Sequence, residues 1–224
     1  PDGRHQVSAW VVTSEVVEEA RGQILVSSRD LITQDVRQMV VFDSKPLSQP
    51  HITIHDRGVD LLATRGASDR ETPSPDELLW QRVAVDAQDI SGQDFVVVAE
   101  GATQARMVSL VDGRSLIAWR DEAGALLHTI VSAEGERSAP TPLADLSSAQ
   151  DFQWVVTRDF VGAWVTTVDS AWTLSLIRLD LETLTAEPPL AIVERAEAPV
   201  MFSATRLPNA HHAVAWVERG EGPE

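Results

Sequence analysis

Six histidines and 34 carboxylates, with no cysteine and no tyrosine, bound the chemistry open to this 224-residue chain. His51 and His55 stand four apart, a spacing that can hold one metal ion on a helix. The stretch His51-Ile52-Thr53-Ile54-His55 alternates, however, which is a strand pattern. On a strand the two imidazoles share a face about 13 Å apart, too far for a single ion. Ordinary sheet positions are expected for both. If their strand lines a channel, His51 and His55 become candidate ligand-binding groups.

Arginine recurs beside Asp or Asn in the turns before apolar strands: Asp2 with Arg4, Asp56 with Arg57, Asp112 with Arg114, Arg158 with Asp159, Arg206 with Asn209. Asp-Gly and Asn suit tight hairpins because they tolerate positive φ. The plain reading is turn chemistry with surface ion pairs, each worth less than about 1 kcal/mol. The sharper reading is a ring of arginines on one face that grips an anionic ligand, with Arg57, Arg158 and Arg206 as candidates.

Acidic side chains gather in other loops: Glu15, Glu18 and Glu19; Asp69, Glu71, Asp76 and Glu77; Asp121 and Glu122; Asp169. Hard cations such as Ca²⁺ take several oxygen ligands. No Asp-x-Asp-x-Asp-Gly loop is present, so the expectation is a solvated acidic face and no resident metal or cofactor, with Ca²⁺ or a basic protein partner as alternatives. Of the seven tryptophans, Trp10, Trp119, Trp164 and Trp216 share one pattern position, which argues for core. Trp172 follows Asp169-Ser170-Ala171 and is expected in a loop, as an exposed platform for a glycan.

A catalytic site is not legible. There is no Gly-x-Ser-x-Gly elbow and no cysteine nucleophile. Acid/base carboxylate pairs are too numerous to select among. The net charge of −16 disfavours nucleic acid and anionic lipid as partners. No apolar run approaches the 18 or so residues of a membrane helix, so no membrane insertion is expected. No signal peptide is recognised either, and any leader would lie upstream of this sequence or have been removed.

The elements that must carry these residues are strands. Apolar, β-branched runs alternate with Gly, Asp, Pro and Ser turns, and no long helical periodicity occurs. An apolar strand closing on Ala-Trp recurs, with its alanine or tryptophan anchor at 10, 63 (alanine only), 119, 164 and 216, in steps of 53, 56, 45 and 52 residues. The first repeat predicts strands over 6–13, 23–31 and 38–42. The second predicts 51–56, 59–64, 78–85 and 95–99, with an exposed loop over 65–77. The third predicts 106–111, 115–120, 126–132 and 142–146. The fourth predicts 152–157, 161–168, 174–181 and 189–194, and the fifth 200–206 and 213–218.

Four short antiparallel strands per ~50 residues is the pattern of a propeller blade. The Ala-Trp anchor then closes the second strand, buried on both faces, its small residue admitting the facing sheet. The expected architecture is an all-β single domain over 1–224: a β-propeller of four-stranded antiparallel blades, about five repeats, beginning and ending mid-blade. It reads as an arc of a larger propeller of six to eight blades. An imperfectly closed five-bladed ring is the rival, and a two-sheet sandwich fits less well because it predicts no such repeat.

The opening Pro1-Asp2-Gly3-Arg4 followed by Val7-Ser8-Ala9-Trp10 resembles the repeat of the Tol-type periplasmic propellers. The run from Leu174 to Thr183 resembles the next strand of that repeat, ending in an Asp-Leu-x-Thr turn. The chain is also similar to the sialidase-like and lectin-like propellers of bacterial surface proteins. The resemblance implies a propeller and a habitat outside the cytoplasm: periplasm, surface or medium. A sialidase uses a tyrosine nucleophile, which this chain lacks. The expected function is therefore a non-catalytic binding or scaffold module of an exported bacterial protein, with a protein or glycan ligand. The alternative is the propeller portion of a carbohydrate-active or peptidase-type enzyme whose catalytic residues lie outside this chain. A third reading is a repeat that serves assembly only.

Overall fold

The computed structural model describes residues 5–12, 22–43, 47–55, 58–66, 76–83, 95–110, 112–144, 149–156, 160–180, 182–183, 185–195, 201–206 and 212–217. Among them there are strands and turns and no helix. β1 (His5–Val12), β2 (Gly22–Asp30) and β3 (Val36–Asp43) form a three-stranded sheet in that order. β4 (Leu47–His55), β5 (Gly58–Arg65), β6 (Glu77–Val83) and β7 (Val96–Glu100) form a four-stranded sheet, again in chain order. A second four-stranded sheet holds β8 (Thr103–Ser109), β9 (Ser115–Arg120), β10 (Leu126–Val131) and β11 (Thr141–Ala144). β12 (Ala149–Val156), β13 (Val161–Val168) and β14 (Trp172–Asp180) follow, and both β15 (Thr185–Ala186) and β16 (Leu190–Arg195) bond to β14. β17 (Met201–Arg206) pairs with β18 (His212–Val217).

Where the connection is short, as between β13 and β14, a tight turn can only return the chain beside the strand it has just left. The polar stretch over 65–77 begins and ends in strand, not in loop. Arg65 ends β5 and Glu77 opens β6; they face each other in the ladder with Nε and Oε2 2.6 Å apart. A cross-strand ion pair thus extends the hairpin past its apolar residues.

In the three sheets of four or more strands the second strand is buried on both faces. Val59, Leu61, Leu62 and Ala63 of β5 are buried, as are Leu116, Ile117, Ala118 and Trp119 of β9 and Val161, Ala163, Trp164 and Val165 of β13. That explains apolar runs where a one-sided strand would alternate. A small residue is required in β13: a Cβ on Gly162 would sit 2.3 Å from the Ile177 carbonyl oxygen.

The chain divides into two compact units, Pro1–Ile117 with Thr129–Ser138, and Ala118–His128 with Ala139–Glu224. In the first, Ile24 and Val26 of β2 pack with Leu47, Leu61, Ala63, Leu79 and Val83, and Ile52 of β4 joins them. In the second, Val155, Trp164, Trp172, Leu174 and Leu176 form a core, with Phe160, Val193, Val214 and Trp216 against it.

Candidate functional site

The first unit brings together polar side chains far apart in sequence. β4 alternates: Ile52 turns to the apolar cluster shared with β2, while Thr53, on the opposite face, reaches β8. Thr53 Oγ1 lies 2.8 Å from Ser109 Oγ and accepts the Ser109 backbone N–H at 3.0 Å. Two residues before Thr53, on the same face, His51 Nε2 stands 3.4 Å from Arg106 Nη1. Arg106 also donates to the Ala105 carbonyl at 3.1 Å. Burial of the imidazole, and then the Arg106 charge beside it, hold His51 below the ordinary histidine range. A neutral imidazole can accept the guanidinium N–H through Nε2, so the pair is a polar site of one fixed cation and one titratable group.

Deeper in the same unit, Asp60 is fully buried on β5, directly opposite Arg82 of β6. The guanidinium grips the carboxylate with two bonds, Nε to Oδ1 at 2.7 Å and Nη2 to Oδ2 at 2.9 Å. Ser115 of β9 donates its hydroxyl to the same Oδ2. Arg82 spends its other N–H groups on three carbonyls: Ser132 at 3.0 Å, Ala133 at 2.7 Å and Gly113 at 3.3 Å. Its guanidinium carbon lies 5.5 Å from the centre of the Trp80 ring. A buried charge needs a partner and satisfied donors, and this one has both. Farther along, Arg137 donates to the carbonyls of Val97 and Val98 on β7, at 2.6 and 2.8 Å.

The candidate residues read from the sequence land differently from one another. His51 and His55 both lie on β4, in unbroken register against Leu62 and Gly58, so the helix-type metal spacing is absent. Only the His51 side chain is described, and its partner Arg106 was not singled out from the sequence. Arg57 and Arg158 lie outside the described residues. Arg206 ends β17, but its side chain is outside what is described. Of the turn pairs, Arg114 and Asp112 do bond, Nε to Oδ2 at 2.8 Å.

Trp172 overturns an expectation. It opens β14 rather than sitting in a loop, is 3% exposed, and packs near Trp216 with ring centres 6.4 Å apart. It belongs to the core of the second unit and offers no exposed platform. The physical reason is the brevity of the turn: Asp169–Ala171 suffices to reverse the chain, with Asp169 N–H bonded to the Ala171 carbonyl at 3.3 Å, so the ladder already pairs Trp172 with Val168.

The acidic loops are described in part. Glu77 pairs with Arg65, and Asp121 Oδ1 accepts the Ala125 N–H at 2.8 Å. Among the described residues no three His, Asp or Glu gather in a way that could hold a metal ion. No helix among them is long and apolar enough to cross a membrane.

The chain resembles the NanB sialidase of Streptococcus pneumoniae in fold, with a TM-score of 0.54 and 12% identity over 87% of this chain and 32% of that one. It therefore spans about a third of that sialidase's length. A mannose phosphorylase from Leishmania mexicana aligns over 96% of this chain and 81% of its own, at 11% identity and a TM-score of 0.46. No protein-family model matches the sequence, and no curated protein does.

Proposed function

We propose that residues 1–224 are one β-propeller domain whose successive antiparallel sheets are blades, serving as a non-catalytic binding or scaffold module. The observation that carries this reading is the order of strands: sheet after sheet is a chain-order meander, and in the three sheets of four or more strands the second strand is buried on both faces. The fold likeness to a sialidase supports it. In this architecture first strands line the axis, so His51, Thr53, Arg106 and Ser109 become the polar lining of a channel, and a ligand with both anionic and hydroxyl groups matches them. The sialidase likeness favours a glycan over a protein ligand. A bacterial, exported setting rests on the resemblance to Tol-type repeats.

A second reading is the propeller portion of a carbohydrate-active enzyme whose catalytic residues lie elsewhere. The coverage of only a third of the sialidase favours it. Titration of the 224-residue chain with sialylated and neutral oligosaccharides, beside a turnover assay on a fluorogenic sialoside, separates the two. Saturable binding without turnover, weakened by Arg106→Gln, supports the binding module. Turnover by this chain overturns the non-catalytic assignment. Absence of binding to every oligosaccharide removes the glycan ligand.

A further inference from the structure

We propose that His51 and Arg106 form an acid-sensitive seam between β4 and β8, which holds while the imidazole is neutral and loosens when a proton makes it a second cation beside the guanidinium. The seam uses two side chains of the proposed channel lining, but it is a contact within one compact unit and is read without any ligand, so its failure leaves the binding reading to its own test.

The geometry is specific. β4 and β8 are not neighbours in a ladder; they belong to different sheets and meet through side chains. The described bonds between them are the Thr53–Ser109 pair and the His51–Arg106 contact. Arg106 is the sole charged residue of β8. Across the ladder from His51 stands Leu62, and diagonally on the same face stands Asp60, whose carboxylate is occupied by Arg82 and Ser115. Arg65 of β5 pairs with Glu77. From β1 and β2, Ala9, Ile24 and Val26 pack on the opposite face with Ile52; of the charged groups on β2, Arg29 bonds Gln34 and Asp30 accepts N–H groups of its own turn. The described charge in contact with the imidazole is thus a cation, and the Asp60 carboxylate on its face is bonded to Arg82 and Ser115.

Burial and Arg106 both push the proton off His51, in the direction the seam requires. The sign follows. The folded state binds the proton less readily than the unfolded chain, so stability is full above the unfolded value of about 6.5 and is lost as pH falls through the folded value.

The test is hydrogen exchange of the whole chain at pH 7.5 and 5.5, corrected for intrinsic rates, with His51 titrated by NMR. Exchange in peptides covering 47–55 and 103–109 is expected to speed by about threefold or more on acidification, while that in 161–168 stays level. His51→Gln abolishes the acid response, and Arg106→Gln, which leaves the burial of the imidazole in place, weakens the response and raises the imidazole pKa. An acid response that persists in His51→Gln, or no response in the unaltered chain, overturns the proposal. Should His51→Gln fail to fold, an imidazole pKa unmoved by Arg106→Gln overturns it equally.

Discussion

Arg82 and Asp60 face each other across β5 and β6 as a two-bond ion pair, with the carboxylate wholly buried and shared with Ser115 of another sheet. Asp60 and Ser115 each stand three residues before the alanine of their strand, Ala63 and Ala118. Corresponding positions of two sheets therefore meet at one charge. Removing a single member leaves the other charge buried without its partner. Arg82→Met is expected to cost about 3–5 kcal/mol in urea unfolding. The double change Asp60→Leu with Arg82→Met is expected to cost clearly less than the two singles added. Additive losses would show that the pair is not coupled.

Gly162 touches the neighbouring strand too closely for any side chain. With a Cβ placed 2.3 Å from the Ile177 carbonyl oxygen, Gly162→Ala forces β13 and β14 apart. The expected loss is about 1–3 kcal/mol, read from the same unfolding curves. A variant as stable as the parent would mean the two strands separate at no cost.

Trp172 is core, and its solvent contact can be measured. In a chain whose other tryptophans are replaced by phenylalanine, its fluorescence is expected to resist iodide quenching. Trp172→Ala is expected to destabilise by about 3–5 kcal/mol, the cost of an emptied aromatic site. Strong quenching, with stability unchanged, would restore the idea of an exposed platform.

Acid acts on two turns as well. For Asp112, burial works toward a higher pKa, but the Arg114 side-chain and backbone bonds outweigh it and hold the carboxyl below its ordinary value. Asp180 is lowered by the backbone N–H groups of Thr183 and Glu182. Depressed carboxyl pKa values stabilise the fold above the unfolded value near 4 and lose that effect as pH falls below it. Stability is thus expected to fall on acidification below about pH 4, and Asp112→Asn to flatten part of that fall. Equal acid slopes in parent and variant would remove Asp112 from this account.

The sequence alone determined the strands and their grouping. Alternation, turn residues and the Ala-Trp anchors predict strands that coincide with those observed around 51–55, 59–64, 115–120 and 161–168, because hairpin sheets are built from local pairings. One signal went unread: Asp60 is a charge inside the apolar run 59–63, which calls for a buried cation, though not for Arg82 in particular. Only the tertiary structure decided which residues meet. His51 lies 55 residues from Arg106, and Asp60 lies 55 from Ser115; the repeat aligns such positions, but it does not say which of them touch. It also decided that Trp172 is buried, because the length of the turn before it, rather than its own type, set where the ladder begins. Local patterning fixes which segments are strands; packing between sheets fixes which polar groups are left to do chemistry.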